Sequence, residues 1–277
     1  MKILENKSKL DNLLESIKVK KLNVGLIPTM GSIHKGHLSL VNYSKNIGCF
    51  SLATIYINPT QFDDKDDFIN YPKNTQEDIE KLSQSGCDAL YIPTSNEVYP
   101  TGIKSKKTIF EFRNILCDKF RPSHFDGVST VVDSLFNIVK PDFAFFGEKD
   151  FQQLKIIQSM IKTKDLQIKI QACPSVRLNN GMSYSSRYNN FSLDEKNIFN
   201  QVAKKITNSV MSLKKEITLN KIKNLKYDLV TLKIKKIDYI EIRNEKDLKL
   251  TIENHNARLF IAFYIGKIRL IDNFILY

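Results

Sequence analysis

The sequence predicts an α/β protein whose larger, amino-terminal part contains a parallel sheet. Up to residue 174, short apolar runs rich in β-branched or aromatic residues alternate with amphipathic stretches, as expected for strands that helices cover on both faces. Beyond that point a Gly/Asn/Ser-rich loop, lysine-rich helical stretches and strand-like runs follow in blocks. We therefore expect a Rossmann-like parallel sheet domain at residues 1–174 and a smaller α+β domain at residues 175–277.

The elements of the larger part can be assigned one by one. We expect strands at residues 23–27, 51–57, 88–92, 143–146 and 168–173, and helices at residues 34–46, 75–85, 126–139 and 150–162. The third helix has the clearest pattern, because its valines and Leu135 recur on one helical face. Since open parallel sheets bind ligands beyond the carboxyl ends of their strands, a nucleotide site is expected at that edge.

The smaller part follows a glycine-containing loop at residues 178–190. One long lysine-rich helix comes next, and a second helix follows it. Strand-like runs at residues 237–242, 259–265 and 269–276 then close the chain.

Composition excludes several classes of protein. The 277 residues are 42% hydrophobic and 26% charged, which is typical of globular proteins. No apolar run of about 18 residues occurs, and the first residues lack the apolar core of a signal peptide, so we expect no membrane span and a cytoplasmic location. The four cysteines form no C-x-x-C pair, which disfavours both a zinc knuckle and a disulfide framework.

The net charge of +12 raises the alternative of an RNA-binding module. However, the basic residues are 35 Lys and only 7 Arg, and they are spread along the chain. Arginine is the favoured residue for planar phosphate and base contacts, and spread lysines more often solvate a surface. We therefore expect no nucleic-acid partner.

The strongest chemical signal is the segment Pro28-Thr-Met-Gly-Ser-Ile-His34-Lys-Gly-His37-Leu. It follows the first expected strand of the sheet and opens a helix, where unpaired backbone N–H groups suit a phosphate. Its glycines have the spacing of a P-loop, but His37 and a leucine replace the Lys-Ser/Thr that should follow. Two imidazoles on one helical turn can donate hydrogen bonds to phosphate oxygens. Two surface histidines or two metal ligands are the alternatives.

Three other segments carry polar groups at expected loops or helix starts. Gln61 follows the second strand in an Asn-Pro turn, where its amide either binds a ligand or caps the turn. Asp150 and Gln153 form a D-x-x-Q pattern, which is also that of a capping box. Arg187 and the two serines before it lie on a loop, and their groups bind phosphate well.

Together these segments resemble the pantothenate synthetases, members of the H-x-G-H nucleotidyltransferase group. The resemblance covers essentially the whole chain. It is carried by P-T-M-G-x-x-H-x-G-H-L at residues 28–38, I-N-P-T-Q-F at 57–62, R-P-S-H-F-D-G-V at 121–128, F-G-E-K-D-F-Q-Q at 146–153, S-S-R at 185–187 and R-L-I-D-N at 269–273.

The resemblance implies an AMP-forming ligase that joins pantoate to β-alanine through a pantoyl-adenylate, on the route to coenzyme A. It implies His34, His37 and Lys149 as catalytic residues, Gln61 and Gln153 as the pantoate site, and Gln61 as a β-alanine contact. ATP, with Mg²⁺, would be bound by Met30, Gly31, His34, Gly36, His37, Gly147, Glu148, Lys149, Asp150, Val176, Tyr184, Ser185, Ser186 and Arg187. A homodimer is also implied, as is a lid-like role for the smaller domain at residues 175–277.

The chain departs from the family pattern at two positions. Tyr184 stands where the family has a methionine, and Cys117 stands where a glutamate is common, four residues before Arg121. The acidic partner of Arg121 is therefore not given by the pattern. His124 of the same segment could shape the substrate site, although a structural role at a helix start is favoured. Another nucleotidyltransferase, which would leave the nucleotide on its product, is the remaining enzymatic alternative.

Overall fold

A computed structural model describes residues 1–63, 65–107, 109–232 and 234–277. The chain forms two compact units. The larger unit comprises residues 1–114 and 121–174, and the smaller comprises residues 115–120 and 175–277. The short segment 115–120 therefore belongs to the smaller unit, although the sequence pattern assigned it to the first domain.

The larger unit is built on a sheet of six parallel strands in the order β1-β4-β3-β2-β5-β6. The strands are β1 Lys2–Leu4, β2 Val24–Thr29, β3 Phe50–Ile55, β4 Ala89–Tyr91, β5 Phe143–Gly147 and β6 Lys169–Cys173. The helices are α1 Lys7–Val19, α2 Lys35–Asn46, α3 Lys65–Ile69, α4 Thr75–Gln84, α5 Ser95–Val98, α7 His124–Val139 and α8 Phe151–Thr163, while α6 Leu116–Phe120 lies in the smaller unit. The parallel sheet confirms the expected fold class.

All five strands and four helices expected from the sequence are present, and none of their ends is shifted by more than two residues. Strand β1 and helix α1 were not among them. Strand β1 has three residues, of which only Leu4 is buried, so it shows no apolar run. Helix α1 buries just Leu10, Leu13 and Ile17 on one narrow face and begins at the capping residue Asn6.

The smaller unit combines an antiparallel sheet with two long helices. Strands β7 Ile237–Asn244, β8 Ala257–Ile265 and β9 Ile268–Ile275 pair in the order β7-β8-β9. Helices α9 Leu193–Lys215 and α10 Leu219–Thr231 share an apolar core with this sheet, in which Ile206, Leu229 and Phe263 are completely buried. This arrangement confirms the expected α+β class. No helix in the described part of the chain is long and apolar enough to span a membrane.

Candidate active site

The loop between β2 and α2 holds the two histidines of the H-x-G-H segment. His34 is the N-cap of α2, and its Nδ1 accepts a hydrogen bond from the Gly36 N–H at 3.1 Å. Nδ1 of His37 accepts from the backbone N–H of His34 at 3.4 Å. The two rings stack with centroids 4.0 Å apart and planes inclined by 16°. A side chain at position 36 would meet the His34 ring at about 2.9 Å, so the stack needs the glycine.

Both imidazoles are neutral at physiological pH. Burial, reinforced by the positive charge of Lys149, lowers the pKa of His34 to about 4. Burial, the neighbouring His34 and Lys149 together hold the pKa of His37 well below its ordinary value. A neutral ring whose Nδ1 accepts a hydrogen bond carries its proton on Nε2. Each histidine can therefore donate one hydrogen bond from Nε2, which is what a phosphate oxygen requires.

The loop that precedes the histidines is held by helix α4. The Asp78 carboxylate accepts hydrogen bonds from the backbone N–H groups of Ser32 at 2.8 Å and Ile33 at 2.6 Å. Gly31 has a positive φ of 80°, and a Cβ there would lie 2.8 Å from the same carboxylate. The loop therefore depends on a glycine at this position and on an acid that lies far along the chain.

Lys149 and its neighbours lie at the end of β5, the strand beside β2. The carboxyl ends of these two parallel strands meet at one edge of the sheet, and the effect of Lys149 on both histidine pKa values reflects that proximity. Lys149 Nζ also lies 3.6 Å from the Asp150 carboxylate. Gly147 ends the strand, and Glu148 begins a short 3-10 helix that leads to α8.

Two adjacent glutamines in the first turn of helix α8 have different surroundings. Gln152 is buried and donates a hydrogen bond to the Phe112 carbonyl at 2.8 Å, a structural contact. Gln153 is half-buried in the first turn and makes no side-chain hydrogen bond within the described residues. Asp150 precedes the helix but makes no capping hydrogen bond through its side chain. The capping-box interpretation of this segment is therefore wrong.

The turn after β3 presents Gln61, which is only 8% exposed. Asn58 caps this turn by accepting a hydrogen bond from the Thr60 N–H at 3.4 Å, so the capping role considered for Gln61 is wrong. The Gln61 amide instead accepts from Asn58 Nδ2 at 3.1 Å and donates to the Met30 sulfur at 3.0 Å. Gln61 and Met30 are therefore brought together at the edge that also carries the histidine loop.

Three residues of the segment 121–128 converge on the same turn. The Gln61 carbonyl accepts hydrogen bonds from Arg121 Nη2 at 3.1 Å and from His124 Nδ1 at 2.8 Å. The backbone of Gly127 lies so close that a Cβ there would be 2.5 Å from the Thr60 carbonyl oxygen. This placement supports the structural role for His124. The sequence analysis did not predict that Arg121, His124 and Gly127 contact the turn of Gln61. The two segments are about 60 residues apart along the chain, and no local pattern connects them.

The departure at Cys117 does not leave Arg121 without an acid. Arg121 Nε donates to Asp63 at 2.9 Å within the larger unit. Cys117 lies in the smaller unit, where its buried sulfur contacts the Tyr239 hydroxyl at 3.1 Å and the Arg269 guanidinium at 3.6 Å. The departure from the family pattern at Cys117 therefore changes a contact of Arg269, in the closing R-L-I-D-N segment, and not a contact of Arg121.

The remaining candidate residues lie in the smaller unit. The Tyr184 N–H donates to the Val176 carbonyl at 2.9 Å. Ser185 caps a short 3-10 helix, Ser186–Asn190, which contains Arg187. The nearby Ser183 is held by the Asp272 carboxylate through its N–H at 2.7 Å and its hydroxyl at 2.6 Å. Asp272 belongs to the closing segment, for which sequence reasoning supplied no physical role.

The described residues do not build a metal site of their own. No group of three His, Cys, Asp or Glu side chains among them is arranged to hold a metal ion. Two neighbouring acids at the start of α4 are both engaged, Asp78 by the histidine loop and Glu77 by Lys81 at 2.6 Å. Within the described residues, therefore, no cage of side chains is preformed around a metal ion.

Comparison with known proteins agrees with this arrangement. The model of the pantoate–β-alanine ligase family matches residues 2–275. The pantothenate synthetase of Wigglesworthia glossinidia brevipalpis is 39% identical over 287 aligned positions, covering 99% of this chain and 98% of that protein. That of Acetivibrio thermocellus is 36% identical and covers 99% of each chain.

Solved structures give the same result. The pantoate–β-alanine ligase of Francisella tularensis, in complex with β-γ ATP and β-alanine, is 33% identical with a TM-score of 0.86, covering 100% of this chain and 98% of that one. The pantothenate synthetase of Thermus thermophilus is 28% identical with a TM-score of 0.89, covering 100% of both chains. The chain therefore belongs to the pantoate–β-alanine ligase family.

Proposed function

We propose that this protein condenses pantoate with β-alanine to form pantothenate, with ATP cleaved to AMP and pyrophosphate. The observation that carries the proposal is the pair of neutral, stacked histidines beside Lys149, at the sheet edge that also presents Gln61. The family and the Francisella tularensis ligase, solved with β-γ ATP and β-alanine, support the same substrates.

In the first step the pantoate carboxylate attacks the α-phosphorus of ATP and the bond to pyrophosphate breaks. Negative charge grows on the phosphate oxygens, and catalysis of this kind rests on positioning and charge neutralisation. The Nε2–H groups of His34 and His37 donate to these oxygens, while Lys149 supplies a positive charge. One such preorganised donor is typically worth about 3–4 kcal/mol.

In the second step the amine of β-alanine attacks the acyl carbon of pantoyl-adenylate. The new amide bond forms, the bond to the AMP oxygen breaks, and the amine loses its proton. Gln61 and Gln153 hold pantoate through their neutral amides, and Gln61 also contacts β-alanine. No protein nucleophile is needed, because the adenylate already carries the activated acyl group.

The residues that we propose for ATP binding are those that the family resemblance implies. Met30, Gly31, Gly36 and residues 147–150 belong to the larger unit, and Val176 and residues 184–187 belong to the smaller unit. Magnesium enters as part of the MgATP substrate, held by phosphate oxygens, as is usual for this ion. We also propose a homodimer, on the strength of the family resemblance.

The half-reactions provide the test. The protein is incubated with MgATP and pantoate, and pyrophosphate is measured before and after β-alanine is added. Pyrophosphate with pantoate alone, followed by AMP and pantothenate only with β-alanine, is the expected result. An acid other than pantoate that elicits pyrophosphate, while pantoate does not, would overturn the substrate assignment.

The variant His37→Ala tests the role of the histidines. It should slow pyrophosphate release at least a hundredfold while changing pantoate affinity little, because the lost donor acts on ATP oxygens. His255→Ala, which changes an exposed histidine of the smaller unit, serves as the control. Near-normal adenylation by the His37 variant would contradict the assigned role.

A further inference from the structure

The turn that carries Gln61 contains an amide whose orientation is set by two backbone groups. Asn58 lies 3.1 Å from the Gly127 carbonyl oxygen, which can only accept a hydrogen bond. The other side of the same amide lies 3.4 Å from the Thr60 N–H, which can only donate. The atom facing Gly127 is therefore the nitrogen of Asn58, and the atom facing Thr60 is its oxygen.

This orientation determines that of Gln61. Nδ2 of Asn58 has a second proton and lies 3.1 Å from the Gln61 side chain. Because this nitrogen can only donate, the Gln61 atom that meets it is the carbonyl oxygen Oε1. The Gln61 NH₂ group then points the other way, towards the Met30 sulfur at 3.0 Å. A thioether is a weak acceptor, so a ligand oxygen is a better partner for this amide nitrogen.

Tyr99 closes the chain of hydrogen bonds at its far end. The residue follows helix α5, and its side chain is almost completely buried. Its hydroxyl donates to Asn58 Oδ1 at 2.5 Å and shares a hydrogen bond with Thr60 Oγ1 at 2.9 Å. Burial raises the pKa of Tyr99 above its ordinary value. The hydroxyl therefore keeps its proton over the working pH range and remains a donor.

We propose that Tyr99 is a positioning residue for the acid substrate, acting through Asn58 to hold the Gln61 amide with its NH₂ group towards the ligand. Gln61 then recognises an acceptor oxygen, such as one of the pantoate carboxylate, and disfavours a donor at the same place. This inference rests on the proposed binding of pantoate by Gln61. We call the hydrogen-bonded series Tyr99, Asn58 and Gln61 the relay. Without the Tyr99 hydroxyl the Asn58 oxygen loses its shortest hydrogen bond, and the amides of Asn58 and Gln61 are held less firmly in this orientation.

The test uses Tyr99→Phe, which removes the hydroxyl and keeps the ring. We expect the KM for pantoate to rise about tenfold, with kcat and the KM for ATP changed less than twofold. Tyr56→Phe is the matched control, because Tyr56 lies beside Tyr99, with ring centroids 6.3 Å apart, and its hydroxyl contacts Ser95 instead of the relay. Thermal melts of both variants report any loss of folding.

A double-mutant cycle separates positioning from a general packing effect. In a Gln61→Ala background there is no amide left to orient, so Tyr99→Phe should raise the KM for pantoate less than twofold further. The inference would be overturned if Tyr99→Phe raised the KM for pantoate tenfold in the Gln61→Ala background. It would also be overturned if Tyr99→Phe left that KM unchanged in the otherwise wild-type protein. If the wild-type protein releases no pyrophosphate with pantoate, the proposed function itself has failed, which is a different outcome.

Discussion

Asp78 and Ile33, 45 residues apart, are joined by a 2.6 Å hydrogen bond from the Ile33 N–H to the Asp78 carboxylate. One helical turn further along α4, Lys81 donates to the carbonyl oxygen of the same Ile33 at 3.0 Å. Both polar groups of the residue next to His34 are thus held by a single helix. The position of the stacked histidines therefore depends on α4 as well as on their own loop.

The first prediction concerns Asp78→Asn. An amide can accept one of the two backbone hydrogen bonds, but its NH₂ group then faces the other N–H donor. We expect a loss of about 1–3 kcal/mol in stability and a tenfold or greater decrease in the rate of adenylation. The rate of pyrophosphate release and the unfolding midpoint are measured.

Glu80→Gln is the control for this prediction. Glu80 is an exposed acid of the same helix whose side chain contacts Gln76. Its loss should leave both quantities nearly unchanged. Equal effects of the two substitutions would show that the charge of the helix, and not the contact with the loop, is responsible.

The second prediction concerns the pH dependence of stability at His34. Its pKa is about 4 in the folded protein and 6.5 in the unfolded chain, so the unfolded chain binds more protons between these values. Stability contributed by the neutral ring is therefore complete above pH 6.5 and is lost as the pH falls towards 4.

His34→Asn isolates this effect, because asparagine also caps a helix but does not titrate. Relative to the variant, the wild-type protein should lose about 2 kcal/mol of unfolding free energy between pH 7.5 and pH 5. Denaturant unfolding at several pH values measures the difference. Parallel curves for the two proteins across this range would contradict the low pKa.

The third prediction concerns Gly127→Ala. The nearest atoms to a new Cβ are backbone atoms of Thr60 and Gln61, at 2.5 and 2.6 Å, and this turn is held in place by Arg121 and His124. Since a held backbone cannot yield as a flexible side chain would, we expect destabilisation of about 1–3 kcal/mol and a higher KM for pantoate.

An exposed position on the same helix provides the comparison for this prediction. Asn137→Ala changes a surface residue of α7 whose side chain donates to the Asp133 carbonyl, one turn before it. It should leave the KM for pantoate unchanged. The Gly127 variant could instead be more stable to unfolding and have an unchanged KM for pantoate. That result would show that the turn of Thr60 and Gln61 can move to accommodate the new methyl group.

The fourth prediction concerns Asp272→Asn in the smaller unit. The Asp272 carboxylate binds the N–H and hydroxyl of Ser183 and also lies 3.3 Å from Arg177. An amide replaces one acceptor with a donor, so Ser183 and the residues that follow it should be held less firmly. We expect a tenfold or greater increase in the KM for ATP and faster proteolysis within residues 184–190.

Asp247→Asn is suited as its control, because Asp247 is an exposed acid of the same unit that pairs with Lys249. The KM for pantoate should change less than twofold in both variants. An unchanged KM for ATP in the Asp272 variant would argue against a role of Ser185, Ser186 and Arg187 in ATP binding.

The sequence by itself determined the fold class, most of the helices and strands, and the family. These features depend on local patterns, namely apolar runs, helical periodicity and short motifs such as the one around His34 and His37. It failed where the local pattern was weak, as with the three-residue β1 and the narrow apolar face of α1.

Only the tertiary structure decided how distant residues support the candidate site. Asp78 reaches back 45 residues to Ile33, Arg121 finds Asp63 across 58 residues, and Asp272 reaches back 89 residues to Ser183. Strand order and the direction of each loop determine which residues form such pairs. Neither feature can be inferred from a short stretch of the sequence. A hydrogen bond acts over about 3 Å, so its partners become known only when the chain has brought them together.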